Sequence, residues 1–250
     1  MNHSTRVRRQ IIRTCLLGSV IALASLNDYS LTAQAAETAK TTKPTRTWAD
    51  IAKWPKFEGG IWVRERGPRG NDTAPKYQPD VAAKLAAIGP IAPSSLGNSS
   101  CEPLGGPFER TGEFFFSKDS IFMMMDEDYL SVRHIHLDTT DHGDPDPSYY
   151  GHSIGHWEGD TLVIDTVGFL PGVTIAPKVE GQGATHTIER IRLTSPDTLE
   201  QQITIMNPKV LTAPYTTTQK FKIRRDLHVQ EAFCSQNNRD INGEPNLTPP

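Results

Sequence analysis

Five histidines, His134, His136, His142, His152 and His156, fall within 23 residues of a 250-residue chain that holds eight in all. Imidazole titrates closer to neutral pH than any other side chain, so such a cluster points to general acid or base work or to metal ligation. Side chains in a strand alternate with period 2, which puts Tyr150, His152, Ile154 and His156 on one face and Gly151, Ser153, Gly155 and Trp157 on the other. His134 and His136 share a face of the preceding strand, with Asp138 just beyond, and pairing of the two strands would bring both His pairs within side-chain reach. Asp165 stands between Val163 and Val167. Inside a barrel, desolvation would raise its pKa and suit it to proton transfer, whereas on an outer face it would be an ordinary solvated carboxylate. The catalytic candidates are therefore His152, His136, Tyr150 and Asp165. His134, His156 and Arg133 are the substrate-binding candidates, since an inward arginine would hold a substrate carboxylate through two parallel hydrogen bonds.

The metal reading rests on His134, His136 and His142, because two His at i and i+2 with a third His and a carboxylate can ligate Fe, Mn or Zn. The His-x-His, glutamate and glycine spacing expected of a cupin site is not present. Metal-free acid/base chemistry without an organic cofactor is the leading expectation, and histidines that are merely solvated or structurally bonded beside a hairpin remain a third reading.

These residues need a sheet to hold them. Glu158-Gly159-Asp160 is a turn signal, and Thr161 to Val167 reads as its β-branched return strand. Further strands are predicted over Gly112 to Phe116, Ser120 to Met125, Tyr129 to Leu137, Tyr150 to Trp157, Thr185 to Leu193, Thr198 to Met206, Tyr215 to Arg224 and His228 to Phe233. Short turns between most of them imply antiparallel neighbours. The expected fold is mainly β, an antiparallel meander closing into a lipocalin-like barrel to protect its edges, with a short N-terminal helix over Pro79 to Ile88. That helix would place Val81, Leu85 and Ile88 on one face. Two long loops, Asp138 to Ser148 and Phe169 to Ala184, are expected at the barrel mouth, where function concentrates.

The run Gly151-His152-Ser153-Ile154-Gly155-His156-Trp157-Glu158-Gly159-Asp160-Thr161-Leu162-Val163 resembles the signature Gly-His-Ser-x-Gly-x-Trp-Glu-Gly-Asp-Thr-Leu-Val of a largely uncharacterised family of exported bacterial proteins. The resemblance runs from about Trp62 through Asn238 and includes a cysteine at each of two positions, Cys101 and Cys234. In that family His136 and His156 often correspond to tyrosine and arginine, which argues against a metal. Its frequency in bacteria that degrade aromatic compounds implies catabolism. An analogy with phenolic acid decarboxylases, which place tyrosine and a carboxylate in a similar small barrel, makes a decarboxylase-like lyase acting on a small aromatic or phenolic acid the concrete version. A lipocalin-like binding protein for an apolar small molecule is the alternative, and a His-ligated metal enzyme a further one.

Residues 1–36 read as a signal peptide: Arg6, Arg8, Arg9 and Arg13, an apolar stretch from Cys15 to Leu26, and Ala33-Gln34-Ala35 before the cut. Arg8-Arg9 also fits a twin-arginine signal loosely. A periplasmic or secreted location follows. Removing those four arginines and Asp28 takes the formal net charge from −3 to −6, which disfavours nucleic acid as a partner and leaves a small molecule. No other apolar run is long enough to span a bilayer, so no membrane insertion is expected after cleavage. Residues 37–47 are expected to be a disordered lead-in, 48–240 a single β-barrel-like domain and 241–250 a flexible tail. In an oxidising compartment Cys101 and Cys234 are most simply one disulfide, with two buried thiols as the other option.

Overall fold

The computed structural model describes residues 46–65, 74–88, 103, 105–106, 112–126, 130–176 and 179–230. Alternation organises most of them. The chain runs through β1 (Ile61–Arg64), β2 (Gly112–Phe116), β3 (Ser120–Asp126), β4 (Leu130–His136), β5 (His152–Glu158), β6 (Thr161–Val167), β7 (Thr174–Ala176), β8 (Val179–Glu180), β9 (His186–Ser195), β10 (Thr198–Met206) and β11 (Tyr215–Arg224). β11 buries Tyr215, Thr217, Gln219, Phe221 and Ile223 and turns the residues between them outward, the two-residue period of a sheet with one face in a core.

Nine strands close a barrel in the order β1-β11-β10-β9-β6-β5-β4-β3-β2, so the fold is the expected mainly β barrel. One neighbour relation departs from the antiparallel meander: β4 and β5 run parallel, through Ile135↔Ser153 and His136↔Ile154. Parallel neighbours need a crossover, and the long loop after His136 provides it instead of decorating the mouth. The other long loop carries the separate β7-β8 hairpin. His228 to Gln230 are not in a strand, contrary to expectation, and residues 231–233 lie outside the described residues.

A one-turn helix, α1 (Trp48–Ile51), is closed by a reciprocal cap between Thr47 and Asp50. Contrary to the disordered lead-in expected through residue 47, Arg46 and Thr47 belong to the fold: Thr47 caps this helix and Arg46 Nη1 donates to the Leu137 carbonyl at 2.8 Å. In α2 (Pro79–Ile88) Val81 is buried and Leu85 packs beside it, but Ile88 is exposed.

The lumen is layered. At one end Phe57, Trp62, Phe114, Ile121, Ile135, Leu162, Ile191 and Phe221 form an apolar plug, backed by Trp54 and Trp157. Around the other end Ile175, Val179, Ile203, Ile205, Val210 and Tyr215 form a second cluster. Between them lies a polar layer centred on Arg133 and Glu189, both essentially inaccessible to solvent.

Candidate functional site

β4 sends Ser131, Arg133 and Ile135 inward, so Val132, His134 and His136 lie on the barrel's outer surface. On β5, Ser153 and Gly155 are buried while His152 and His156 are on the opposite, outer face. Alternation turns Gly155 inward, and a Cβ there would fall 2.7 Å from Ile135 Cγ2, so the close packing needs glycine. Asp165 pairs with Ile154 and also faces outward, with its side chain 39% exposed. The alternative left open by sequence is thereby decided: Asp165 is not a luminal carboxylate.

On that outer surface the histidines form a continuous row. His134 and His136 have ring centroids 3.9 Å apart, and His136 stacks on His152 at 4.9 Å. His142, reaching in from the crossover loop, places Nδ1 2.9 Å from His152 Nδ1 and Nε2 3.2 Å from Asp165 Oδ1. His186, which sequence reasoning did not single out, brings its Nε2 to 2.8 Å from the same oxygen.

An ionised carboxylate only accepts hydrogen bonds, so both His142 and His186 must carry a proton on Nε2. In the neutral form of His142 the Nδ1 is then bare, and in that arrangement His152 donates from its own Nδ1 and keeps a lone pair on Nε2. Burial, then the neighbouring His136 and His142, pushes the His152 pKa below its ordinary value, and burial with His136 does the same at His134. His152 is thus set up as a neutral base.

A cleft of about 460 Å³ opens where β4 and β5 part. The two strands pair at only two positions, because before His152 the chain swings away through Gly151, at φ +67°. An alanine Cβ there would lie 2.5 Å from the Val167 carbonyl oxygen, so the turn needs glycine. His134, His136, Tyr149, Tyr150, Gly151 and His152 line the opening, and so do the inward residues Ser131 and Arg133. Residues from both faces of β4 thus contribute to its lining.

The structure therefore gathers His134, His136, Tyr150, His152 and Arg133 around one cleft, and among the described residues His142 is what ties Asp165 to it. His156 is not among them; it lies toward the far end of β5, 3.2 Å from Glu158 Oε1. Arg133 is inward but already committed, with bonds to both Glu189 oxygens at 3.0 and 2.6 Å, to Ser153 Oγ at 3.1 Å and to Thr166 Oγ1 at 2.9 Å. A substrate carboxylate would have to displace Glu189 to take the expected grip. Glu189 went unnoticed in sequence although it shares a strand face with Ile191 and Leu193, where a carboxylate is anomalous. Among the described residues no group of three or more His, Cys, Asp or Glu converges as a metal site, and His142 is turned away from His134 and His136 toward His152 and Asp165. Cys101 and Cys234 lie outside the described residues.

Fold and site together define a closed, mixed nine-stranded barrel with an imidazole-lined cleft in its wall. Comparison of the chain with protein-family models, curated proteins and solved structures finds no match to any of them.

Proposed function

We propose that the cleft is the active site of an acid/base enzyme in which His152 is the general base and the chain's own residues supply the proton transfers, without an organic cofactor. The observation that carries this reading is the sequence of contacts Asp165, His142, His152, which ends on a cleft-lining imidazole whose free nitrogen is Nε2. Asp165 and His142 are positioning residues in it; His134 and His136 flank the base.

The concrete version is a lyase that decarboxylates a small phenolic acid. His152 Nε2 takes the phenolic proton, and the electron pair moves through the ring to the carbon bearing the carboxylate. Tyr150, which lines the same cleft, protonates that carbon. The C–C bond to the carboxylate then breaks, its electrons return to the ring, carbon dioxide leaves, and His152 returns its proton to the phenolate while solvent reprotonates Tyr150. A carrier for an apolar ligand fits less well, because a buried ion pair occupies the middle of the lumen where such a ligand would sit.

The resemblance of residues 151–163 to a signature of exported proteins and the basic-apolar leader support a periplasmic or secreted location. With it goes a disulfide between Cys101 and Cys234. Thiol alkylation of the non-reduced protein should label neither cysteine; labelling of either removes the disulfide. The reaction is tested by incubating the purified protein with a panel of lignin-derived phenolic acids and reading the products by mass spectrometry. Loss of carbon dioxide from at least one is expected, and an unchanged panel overturns the lyase.

A further inference from the structure

A ligand carboxylate needs a counter-charge, and Arg133, the guanidinium among the described residues of the cleft, is already engaged by Glu189. Imidazoles are what the opening offers instead. β4 and β5 pair through Ile135↔Ser153 and His136↔Ile154, so His134 and His152, one residue earlier on each strand, are left on opposite sides where the strands part. The acid/base scheme gives the hydroxyl proton to His152 and has His134 only flank that base. His134 is nevertheless exposed and lines the cleft, so a ligand in the opening reaches it.

The surroundings of His134 suit a positive ring. Ser120 Oγ lies 2.7 Å from its Nε2, where it accepts from an imidazolium. Phe122 stacks on it with centroids 4.7 Å and planes 16° apart, which sets a cation against an aromatic face. From its own strand His136 approaches to 3.9 Å between centroids, and His136 Nδ1 is in turn 3.7 Å from Asp138 Oδ1. Among the described residues the titratable groups that act on His134 are thus His136 and Asp138, on and just beyond β4, and His152 on β5; β3 presents the uncharged Ser120 and Phe122. Burial first, then His136, with His152 adding to them, holds the His134 pKa below its ordinary value although Asp138 opposes them. One more negative charge in the opening shifts that balance toward the imidazolium.

We propose that His134 is the carboxylate-binding residue of the cleft and takes up a proton as an aromatic acid binds, so that the acid enters with its charge neutralised. This rests on the reading of the cleft as a ligand site and adds a linkage to it. Affinity for the acid rises as pH falls, until the ring is protonated without a ligand. An uncharged phenol, the product of decarboxylation, gives His134 no reason to hold that proton, so the cleft favours acid over product.

The test is calorimetric titration with 3-(4-hydroxyphenyl)propanoate, which lacks the double bond needed to carry electrons to the carboxylate-bearing carbon and is not turned over, and with its uncharged amide. Heats measured in two buffers of different protonation enthalpy give the protons bound per ligand. The propanoate should bring about half a proton or more at pH about 7, and its affinity should fall roughly threefold or more between pH about 6.5 and 7.5; the amide should do neither. His134→Gln should abolish the uptake and weaken the propanoate about tenfold at the lower pH, with amide binding unchanged. Propanoate binding without proton uptake, equal uptake with the amide, undiminished uptake by folded His134→Gln, or binding of neither probe by the wild type overturns the proposal. Failure of the acid/base reading is a separate result: a wild type that takes up the proton but decarboxylates no phenolic acid removes the lyase and leaves the carboxylate site intact.

Discussion

Replacing Asp165 with alanine tests the tautomer chain at its anchor. The carboxylate oxygen accepts from Nε2 of His142 at 3.2 Å and of His186 at 2.8 Å, and nothing else in the account fixes which nitrogen of His142 carries the proton. A hydrogen bond to a charged group contributes about 1.5 to 3 kcal/mol, but Asp165 is 39% exposed and the bond is screened, so about 1 kcal/mol is the appropriate figure. That is roughly a fivefold bias toward the tautomer that leaves His152 Nε2 bare. Long-range proton–nitrogen correlation spectra of the histidine rings read the tautomers directly. At pH about 8 the wild type should show His142 and His186 protonated on Nε2 and His152 on Nδ1; in Asp165→Ala the ratio at His142 should relax by about that factor, with His152 following. Turnover should fall by no more than a similar amount. His152 carrying its proton on Nε2 in the wild type would refute the reasoning, and a loss in Asp165→Ala as deep as that of His152→Ala would mean that Asp165 itself does chemistry.

Three further outcomes follow from the fold. Glu189→Leu strands a buried guanidinium and should cost roughly 3 to 5 kcal/mol by urea unfolding, while Arg133→Met/Glu189→Leu should recover most of it; a double variant as unstable as the sum of the singles contradicts the pairing. Gly151→Ala forces a Cβ to 2.5 Å from the Val167 carbonyl oxygen at φ +67° and should destabilise by about 2 kcal/mol or more, or shift the His152 strand; an unchanged melting temperature would show that the turn relaxes freely. His134 and His152 hold protons more weakly in the fold than at the ordinary value of 6.5. Folded protein therefore binds fewer protons than unfolded chain in that range, so stability is full above pH 6.5 and declines as pH drops below it. The urea midpoint should fall between pH 7.5 and 5.5, and His152→Gln should flatten the fall; a flat wild-type profile denies the shifts.

Strand alternation made the sheet readable: eight of the nine predicted strands are present, with ends moved by a residue or two. It did not say which face is inside. The period groups His152 with His156 equally well on either surface, and only closure of the barrel puts both outside and Ser153 within. The parallel β4-β5 pair was hidden for a related reason, since a loop's length permits a crossover without requiring one, and it is this pair's early parting that makes the cleft. Tyr150 reaches the cleft wall because Gly151 interrupts the alternation between it and His152. Glu189, Gln201 and Gln219 were legible in principle as polar residues on apolar strand faces, but without the closed lumen nothing showed that they meet Arg133 in one layer.

Whether His152 moves the proton is read from the rate of carbon dioxide release by His152→Ala on a phenolic acid that the wild type decarboxylates. A general base at this position should show a loss of roughly 10²-fold or more in kcat with a melting temperature near that of the wild type. Full turnover by folded His152→Ala would contradict it and pass the role to His136, the next imidazole in the row.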